Sequence, residues 1–167
     1  MNMKICIVGS SGAGKTTASK KLALEFHTTA YQFDKIYWDT TQEEYVKNSQ
    51  EVINNLVSEI QAKNEWIVEG AYDKRLIPFL NECSLIIRFK VPYWICAIRI
   101  VKRFLLSKLT RTRPKETFYN NLELLRFAKQ IDNRLDNFFD MHPVFVSKIV
   151  IVSDSRSCID KIKKHLM

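Results

Sequence analysis

The chain has 167 residues, 46% of them hydrophobic and 26% charged, with a formal net charge of +8. That length suits a single domain over 1–167 with a substantial core, and the composition is ordinary for a folded protein. No apolar run is long enough for a membrane span, the longest being broken by Arg88, Lys90 and Arg99, and the N-terminus lacks a signal-peptide shape, so a cytoplasmic location is expected.

The first element, Lys4-Ile5-Cys6-Ile7-Val8, is a short apolar stretch suited to a buried strand. Residues 17–26 carry Ala18, Leu22 and Phe26 at helical spacing. Between them, residues 9–16 read Gly-Ser-Ser-Gly-Ala-Gly-Lys-Thr and fit G-x-x-x-x-G-K-[ST] at every defined position. Strand, glycine-rich turn and helix form the context this pattern needs. The glycines let the backbone close into a ring of N–H groups around a phosphate, and the helix points its positive end at the same spot. The candidate binding set is Gly9, Ser10, Ser11, Gly12, Ala13, Gly14, Lys15, Thr16 and Thr17. Lys15 can span β- and γ-phosphates, and the Thr16 hydroxyl can ligate Mg²⁺, which makes ATP and Mg²⁺ the expected cofactors.

Residues 30–33 read as a second short strand ending at Asp34, and residues 42–62 as a helix carrying Tyr45, Val52, Leu56 and Ile60. Trp66-Ile67-Val68 is a third strand ending in Glu69-Gly70, and residues 85–89 a fourth, stopped near Pro92. Residues 93–109 make the most legible helix, with Trp94, Ile98, Val101 and Leu105 on one stripe and Arg99 and Arg103 projecting elsewhere. A basic break at residues 110–114 leads into a helix from Glu116 towards Phe139. A fifth strand over residues 146–152 and a helix over 157–166 close the chain. Strands interleaved with helices predict an α/β protein whose parallel sheet is covered on both faces, giving three layers. Ligands of such sheets bind beyond the carboxyl ends of the strands. There the sequence places the glycine-rich loop, Asp34, Glu69-Gly70 and the basic helix after strand four.

Each candidate has a bland reading beside it. Asp34 is either a carboxylate facing a phosphoryl acceptor or a turn residue satisfying local N–H groups. Glu69 either holds Mg²⁺ through water or is a solvated strand-end acid. Arg99 and Arg103 lie four apart on one helix and either bind phosphate or form a solvated cationic face. Arg113, in the break, and Arg134, on the following helix, are weaker candidates of the same kind. No acidic residue occurs from Cys83 to Lys115, while nine cations from Arg88 onward accumulate, so an anionic partner is expected there. Cys6, Cys83, Cys96 and Cys158 show no paired spacing and read as buried free thiols.

On these residues the chain resembles the adenylate-kinase-like P-loop kinases, and within them the bacterial topology-modulation proteins. The resemblance is carried by the loop at 9–16, by Phe33-Asp34-Lys35-Ile36-Tyr37-Trp38, by Glu65-Trp66-Ile67-Val68-Glu69-Gly70-Ala71-Tyr72, and by Phe89-Lys90-Val91-Pro92 leading to Arg99-x-x-x-Arg103. It implies a P-loop NTPase fold with a five-stranded parallel sheet ordered 2-3-1-4-5 and a short helical lid over residues 108–134. It also implies arginines at positions 99 and 103 on nucleotide, a lid arginine joining the transferred group, and an acceptor site near Asp34. Gly70-Ala71-Tyr72-Asp73 stands where adenylate kinases carry Gly-Phe-Pro-Arg, which leaves the acceptor open. The expectation is an ATP-dependent phosphotransferase whose partners are a nucleoside triphosphate and a small hydroxyl or phosphate acceptor. The alternative is a nucleotide-controlled DNA- or RNA-binding regulator using the stretch from Arg88 to Lys115. The absence of an N-K-x-D segment speaks against a signalling GTPase.

Overall fold

In the computed structural model, which describes residues 3–39, 41, 46–110 and 118–166, β1 (Lys4–Gly9) lies at the centre of the sheet. Its side chains alternate between two cores, as a period of two requires. Cys6 and Val8 join Phe33, Trp66, Val68, Phe79 and Ile86 on one face, while Ile5 and Ile7 join Ala18, Leu22, Ile67, Ile87 and Cys158 on the other. A strand buried on both faces reads as a continuous apolar run, which is why this segment was legible.

The order along the chain is β1, α1 (Lys15–Glu25), β2 (Ala30–Gln32), α2 (Phe33–Tyr37), β3 (Trp38–Asp39), β4 (Val46–Lys47), α3 (Gln50–Gln61) and β5 (Trp66–Gly70). There follow α4 (Ile77–Glu82), β6 (Leu85–Phe89), α5 (Tyr93–Thr110), α6 (Phe118–Met141), β7 (Ile149–Val152) and α7 (Ser155–Leu166). The main sheet has five strands, all parallel, in the order β2-β5-β1-β6-β7. Counted among its own strands this is 2-3-1-4-5, as the resemblance implied. The register sets Ile7 opposite Glu69, Val8 opposite Gly70 and Gly9 opposite Phe89, so three strand ends finish level. Among the described residues no helix is long and apolar enough to cross a membrane.

Three expectations need correction. Phe33 is not the end of a strand but the first residue of α2, because its ring turns under the sheet edge to pack against Tyr72 and Phe79. The helix expected over 42–62 starts only at Gln50; Val46–Lys47 instead pairs antiparallel with Trp38–Asp39, a ribbon too short for periodicity to reveal. Ser49 caps this helix by accepting from the Val52 amide at 3.3 Å. Its replacement by alanine is expected to cost about 1 kcal/mol, read as a lower urea midpoint at unchanged slope. The last strand begins at Ile149 rather than residue 146, since Pro143–Lys148 forms a 3₁₀ turn that buries Phe145.

The orientation of α5 runs against its own apolar pattern. Its apolar stripe faces outward: Trp94 is 63% exposed, Ile98 59%, Val101 43% and Leu105 56%. Cys96 and Ile100 form the buried face instead. The helix is turned by polar and backbone contacts to the loop after β1, described next. The four cysteines are free and buried, as expected.

Candidate active site

The ends of β1, β5 and β2 lie side by side, with Gln32 of β2 opposite Glu69, and a candidate group stands at each. After β1 the chain turns through Gly12 (φ +79°) and reaches Gly14 (φ +102°), the left-handed residue that starts α1. Ala13 donates its amide to the Ser10 carbonyl at 3.2 Å, and the Lys15 ammonium donates to that same carbonyl at 2.8 Å. The loop is thereby closed on itself around the lysine. Ser10 Oγ donates to the Ala128 carbonyl of α6 at 3.2 Å, fastening the loop to the helix layer beyond it.

Glu69 ends β5 and accepts a hydrogen bond from Thr16 Oγ1 at 2.6 Å. Both Lys15 and Glu69 are buried. Burial pushes the Lys15 ammonium below its usual value, opposed by the charges of Glu69 and Asp34. Burial likewise pushes the Glu69 carboxyl up, opposed by Lys15 and by the Thr16 hydroxyl. For both groups the cost of burial outweighs the attraction of the opposite charge nearby, so each charged form is disfavoured. Thr16 and Glu69 set two hard oxygen donors side by side at the edge of the loop, and a carboxyl disfavoured in its charged form by burial gains from a nearby divalent ion. That donor set fits Mg²⁺.

Asp34 lies in α2, just past the end of β2, and its Oδ1 accepts from the Tyr72 hydroxyl at 2.6 Å. Burial raises the Tyr72 phenol well above its ordinary value, and the Asp34 charge raises it further, so Tyr72 stays a donor. The Asp34 carboxylate is thus bonded to a side chain from beyond the next strand. Gly70 makes this possible. A Cβ there would stand 3.1 Å from the Tyr72 ring and 3.2 Å from Phe33 Cβ, in the space where the ring packs.

A cleft of about 610 Å³ opens beside the loop, lined by Gly14, Lys15, Thr16 and Thr17 on one side and by Arg99 and Arg103 on the other. Arg99 Nη1 donates to the carbonyls of Gly12 and Ala13 at 3.1 and 3.3 Å. It is thus anchored to the loop in addition to bordering the cleft. Arg103 is close enough to Lys15 to disfavour its charge. Arg134 is not in this cleft; it pairs with Asp73 through contacts of 2.8 and 3.3 Å. Although partial burial pushes Asp73 up, the Arg134 bond and the Lys74 amide hold it below its usual value. Arg113 lies outside the described residues. Of the lid range 108–134, residues 111–117 also lie outside them, and the remainder forms the end of α5 and the first part of α6, where Ala128 and Ile131 are buried.

The basic stretch is less available to a polyanion than its composition implied. Arg88 is only 2% exposed and lies 2.9 Å from Asp132 and 3.4 Å from Asp136, while Lys90 pairs with Asp136 at 3.0 Å. The acids that neutralise these cations come from α6, far along the chain.

Sequence reasoning missed Asp154 and Ser155, which line the cleft after β7. The strand-end rule, applied to the fifth strand as it was to the others, would have found them. It quoted Tyr72 and Asp73 only within the resembling segment, and did not foresee that the turn after β5 sets Tyr72 against Asp34 and Asp73 against Arg134.

The fold, with this glycine-rich loop after its central strand, has counterparts among solved structures. Over 98% of its length the chain superimposes on 98% of a shikimate kinase from Bacteroides thetaiotaomicron, with a TM-score of 0.57 and 16% identity. A second similar structure is an uncharacterized protein from Eubacterium ventriosum ATCC 27560, with a TM-score of 0.54, 14% identity and coverage of 99% of this chain and 98% of that one. No protein-family model matches the sequence, and no curated protein matches it. At these identities the likeness is one of fold.

Proposed function

We propose that the chain is an ATP·Mg²⁺-dependent phosphotransferase acting on a small hydroxyl or phosphate acceptor. The observation that carries this reading is the meeting, at the adjacent ends of β1, β5 and β2, of the Lys15 loop, the Thr16–Glu69 pair and the Asp34–Tyr72 pair. The first two suit the phosphates and metal of a nucleoside triphosphate. The third is a carboxylate within the electrostatic reach of both Lys15 and Glu69, where it could face an acceptor oxygen. The shikimate kinase fold supports the same class. The kinship to topology-modulation proteins belongs to this reading and rests on the four segments that resemble them.

In this scheme Lys15 and the loop amides hold the phosphates, with Thr16 and Glu69 placed to hold Mg²⁺ directly or through water. The metal, when bound, neutralises charge on the phosphate oxygens. Asp34 orients the acceptor hydroxyl and takes its proton as the oxygen bonds to the γ-phosphorus and the β–γ bridging oxygen departs with ADP. Tyr72 fixes the Asp34 carboxylate and occupies only one of its oxygens, leaving the other for the acceptor. Arg99, anchored to the loop, and Arg103 lie on the side of the cleft where transferred charge would build up.

Incubation with γ-labelled ATP and a panel of nucleosides, nucleotides and hydroxylated metabolites tests the proposal; label retained entirely in ATP and free phosphate across the panel would count against it. With an accepted substrate, Asp34→Asn is expected to lower kcat by about 10²-fold or more while nucleotide affinity holds. An Asn variant as fast as the parent would return Asp34 to a structural role.

A further inference from the structure

Four of the five residues of β6 are buried hydrophobics, and the fifth is an arginine buried as fully as they are. Taking a guanidinium out of water is costly, and an apolar side chain would pack in a strand interior without that cost. What Arg88 holds accounts for its place. Its Nη1 donates to the Phe89 carbonyl at 3.1 Å, at the end of β6 level with Gly9. Its Nη2 donates to the Asp132 carbonyl at 3.2 Å and to Asp136 Oδ1 at 3.4 Å. Asp132 Oδ1 faces the same nitrogen at 2.9 Å, an ion pair without a directed hydrogen bond. One side chain thus fastens a turn of α6 to the end of β6, the strand beside β1.

That turn is the one that meets the phosphate loop. In an α-helix the Asp132 amide bonds the carbonyl one turn earlier, that of Ala128. A carbonyl has two lone pairs, and the Ala128 oxygen also accepts from Ser10 Oγ at 3.2 Å, where both residues are buried. Ser10 shares its proton with the adjacent Ser11 carbonyl, also at 3.2 Å. Its own carbonyl takes the Lys15 ammonium at 2.8 Å and the Ala13 amide at 3.2 Å. Polar contacts therefore run without a break from Arg88 through Asp132, Ala128 and Ser10 to Lys15, across three separate segments of the chain. The hydroxyl bond to α6 orients the residue whose carbonyl closes the loop. Because a hydrogen-bonded helical turn moves as a unit, a shift of α6 at Asp132 is a shift at Ala128 as well.

We infer that Arg88 is a positioning residue for the phosphate loop: it clamps the Asp132 turn of α6 to β6, and so holds the Ala128 carbonyl where Ser10, and through it Lys15, is set for nucleotide. The inference deepens the phosphotransferase reading, on which the choice of ligand rests. Arg88 touches no phosphate in this scheme. Its effect on affinity passes entirely through Ser10, because a loop already shaped for phosphate loses less freedom on binding.

A double-mutant cycle tests that route, since contiguity of contacts does not by itself demonstrate coupling. Affinity is read by calorimetry with Mg²⁺ and a non-hydrolysable ATP analogue, and each variant's fold by thermal unfolding. Ser10→Ala and Arg88→Met are each expected to weaken the analogue about five- to tenfold. Combined, they should bind it as Ser10→Ala does alone. Losses that multiply in the double variant, or parental affinity in Arg88→Met whatever its unfolding temperature, would overturn the inference and leave Arg88 a structural residue. Methionine removes the buried charge at similar length, and Asp132 and Asp136 are partly exposed, so water can reach them once unpaired. Should Arg88→Met not fold, Asp132→Asn takes its place in the same cycle under the same criteria, removing the ion pair and keeping the carbonyl. An analogue that fails to bind the parent protein overturns the phosphotransferase reading together with this inference, whereas binding that is additive across the cycle strikes the inference alone.

Discussion

Replacing Lys15 with alanine is expected to lower phosphoryl transfer by about 10³-fold, with the fold retained. The effect is large because Lys15 is the ammonium group enclosed by the loop, held by the Ser10 carbonyl at 2.8 Å and aimed where phosphate charge accumulates. A donor preorganised in a site with little water acts far more strongly than one in solution, since it needs no reorganisation when charge develops. The fold should survive because the lysine contributes little to stability: burial already lowers its affinity for a proton, so its charge is costly to keep in the empty site. Removing it leaves Glu69 without its main counter-charge, and the carboxyl should then rise further above its usual pKa. Single-turnover transfer from labelled ATP measures the first effect and thermal unfolding the second. Transfer at the parental rate would remove Lys15 from the machinery.

Gly12→Ala is expected to destabilise the protein by about 2–5 kcal/mol, from a strained left-handed backbone and a steric conflict together. With φ at +79°, an L side chain there is already disfavoured. The added Cβ would also stand 2.7 Å from the Cys96 carbonyl oxygen and 3.2 Å from its Cα, both backbone atoms of α5 that cannot swing aside. Relief requires α5 to move away from the loop, taking with it Arg99, whose bonds to Gly12 and Ala13 tie the two together. Nucleotide affinity should therefore fall along with stability. Gly14→Ala supplies the comparison: its φ is +102°, but its Cβ would meet nothing nearer than 3.9 Å, so only backbone strain acts. Urea unfolding of both variants checks the difference. Equal losses would show that the contact with α5 contributes nothing.

Much of the site was legible because its chemistry is local in sequence. The residues of the loop are consecutive, and the glycines, lysine and threonine stand at fixed spacing from one strand and one helix. Glu69 and Asp34 were found by position alone, each just beyond a strand, since parallel strands bring their carboxyl ends to one edge. The bond from Tyr72 to Asp34 was not foreseen. It depends on packing over Phe33 and Tyr37, residues some forty positions earlier, and no spacing rule encodes that meeting. Arg88 shows the same limit from the other side. In the sequence it joins a run of cations free of acids, and in the structure two aspartates of α6 cover it.

The linear chain by itself determined the layered α/β architecture, the strands whose both faces are buried, and the phosphate loop, because these follow from hydrophobic period and from consecutive residues. Only the tertiary structure decided which face of α5 turns inward. Its apolar stripe alone would have directed Trp94, Ile98, Val101 and Leu105 to the core, yet they lie exposed. Close approach of Gly12 to the Cys96 backbone and the Arg99 bonds to the loop carbonyls hold the opposite face down. The inward face is itself apolar at Cys96 and Ile100, and its packing together with the Arg99 bonds sets Arg99 and Arg103 beside the cleft.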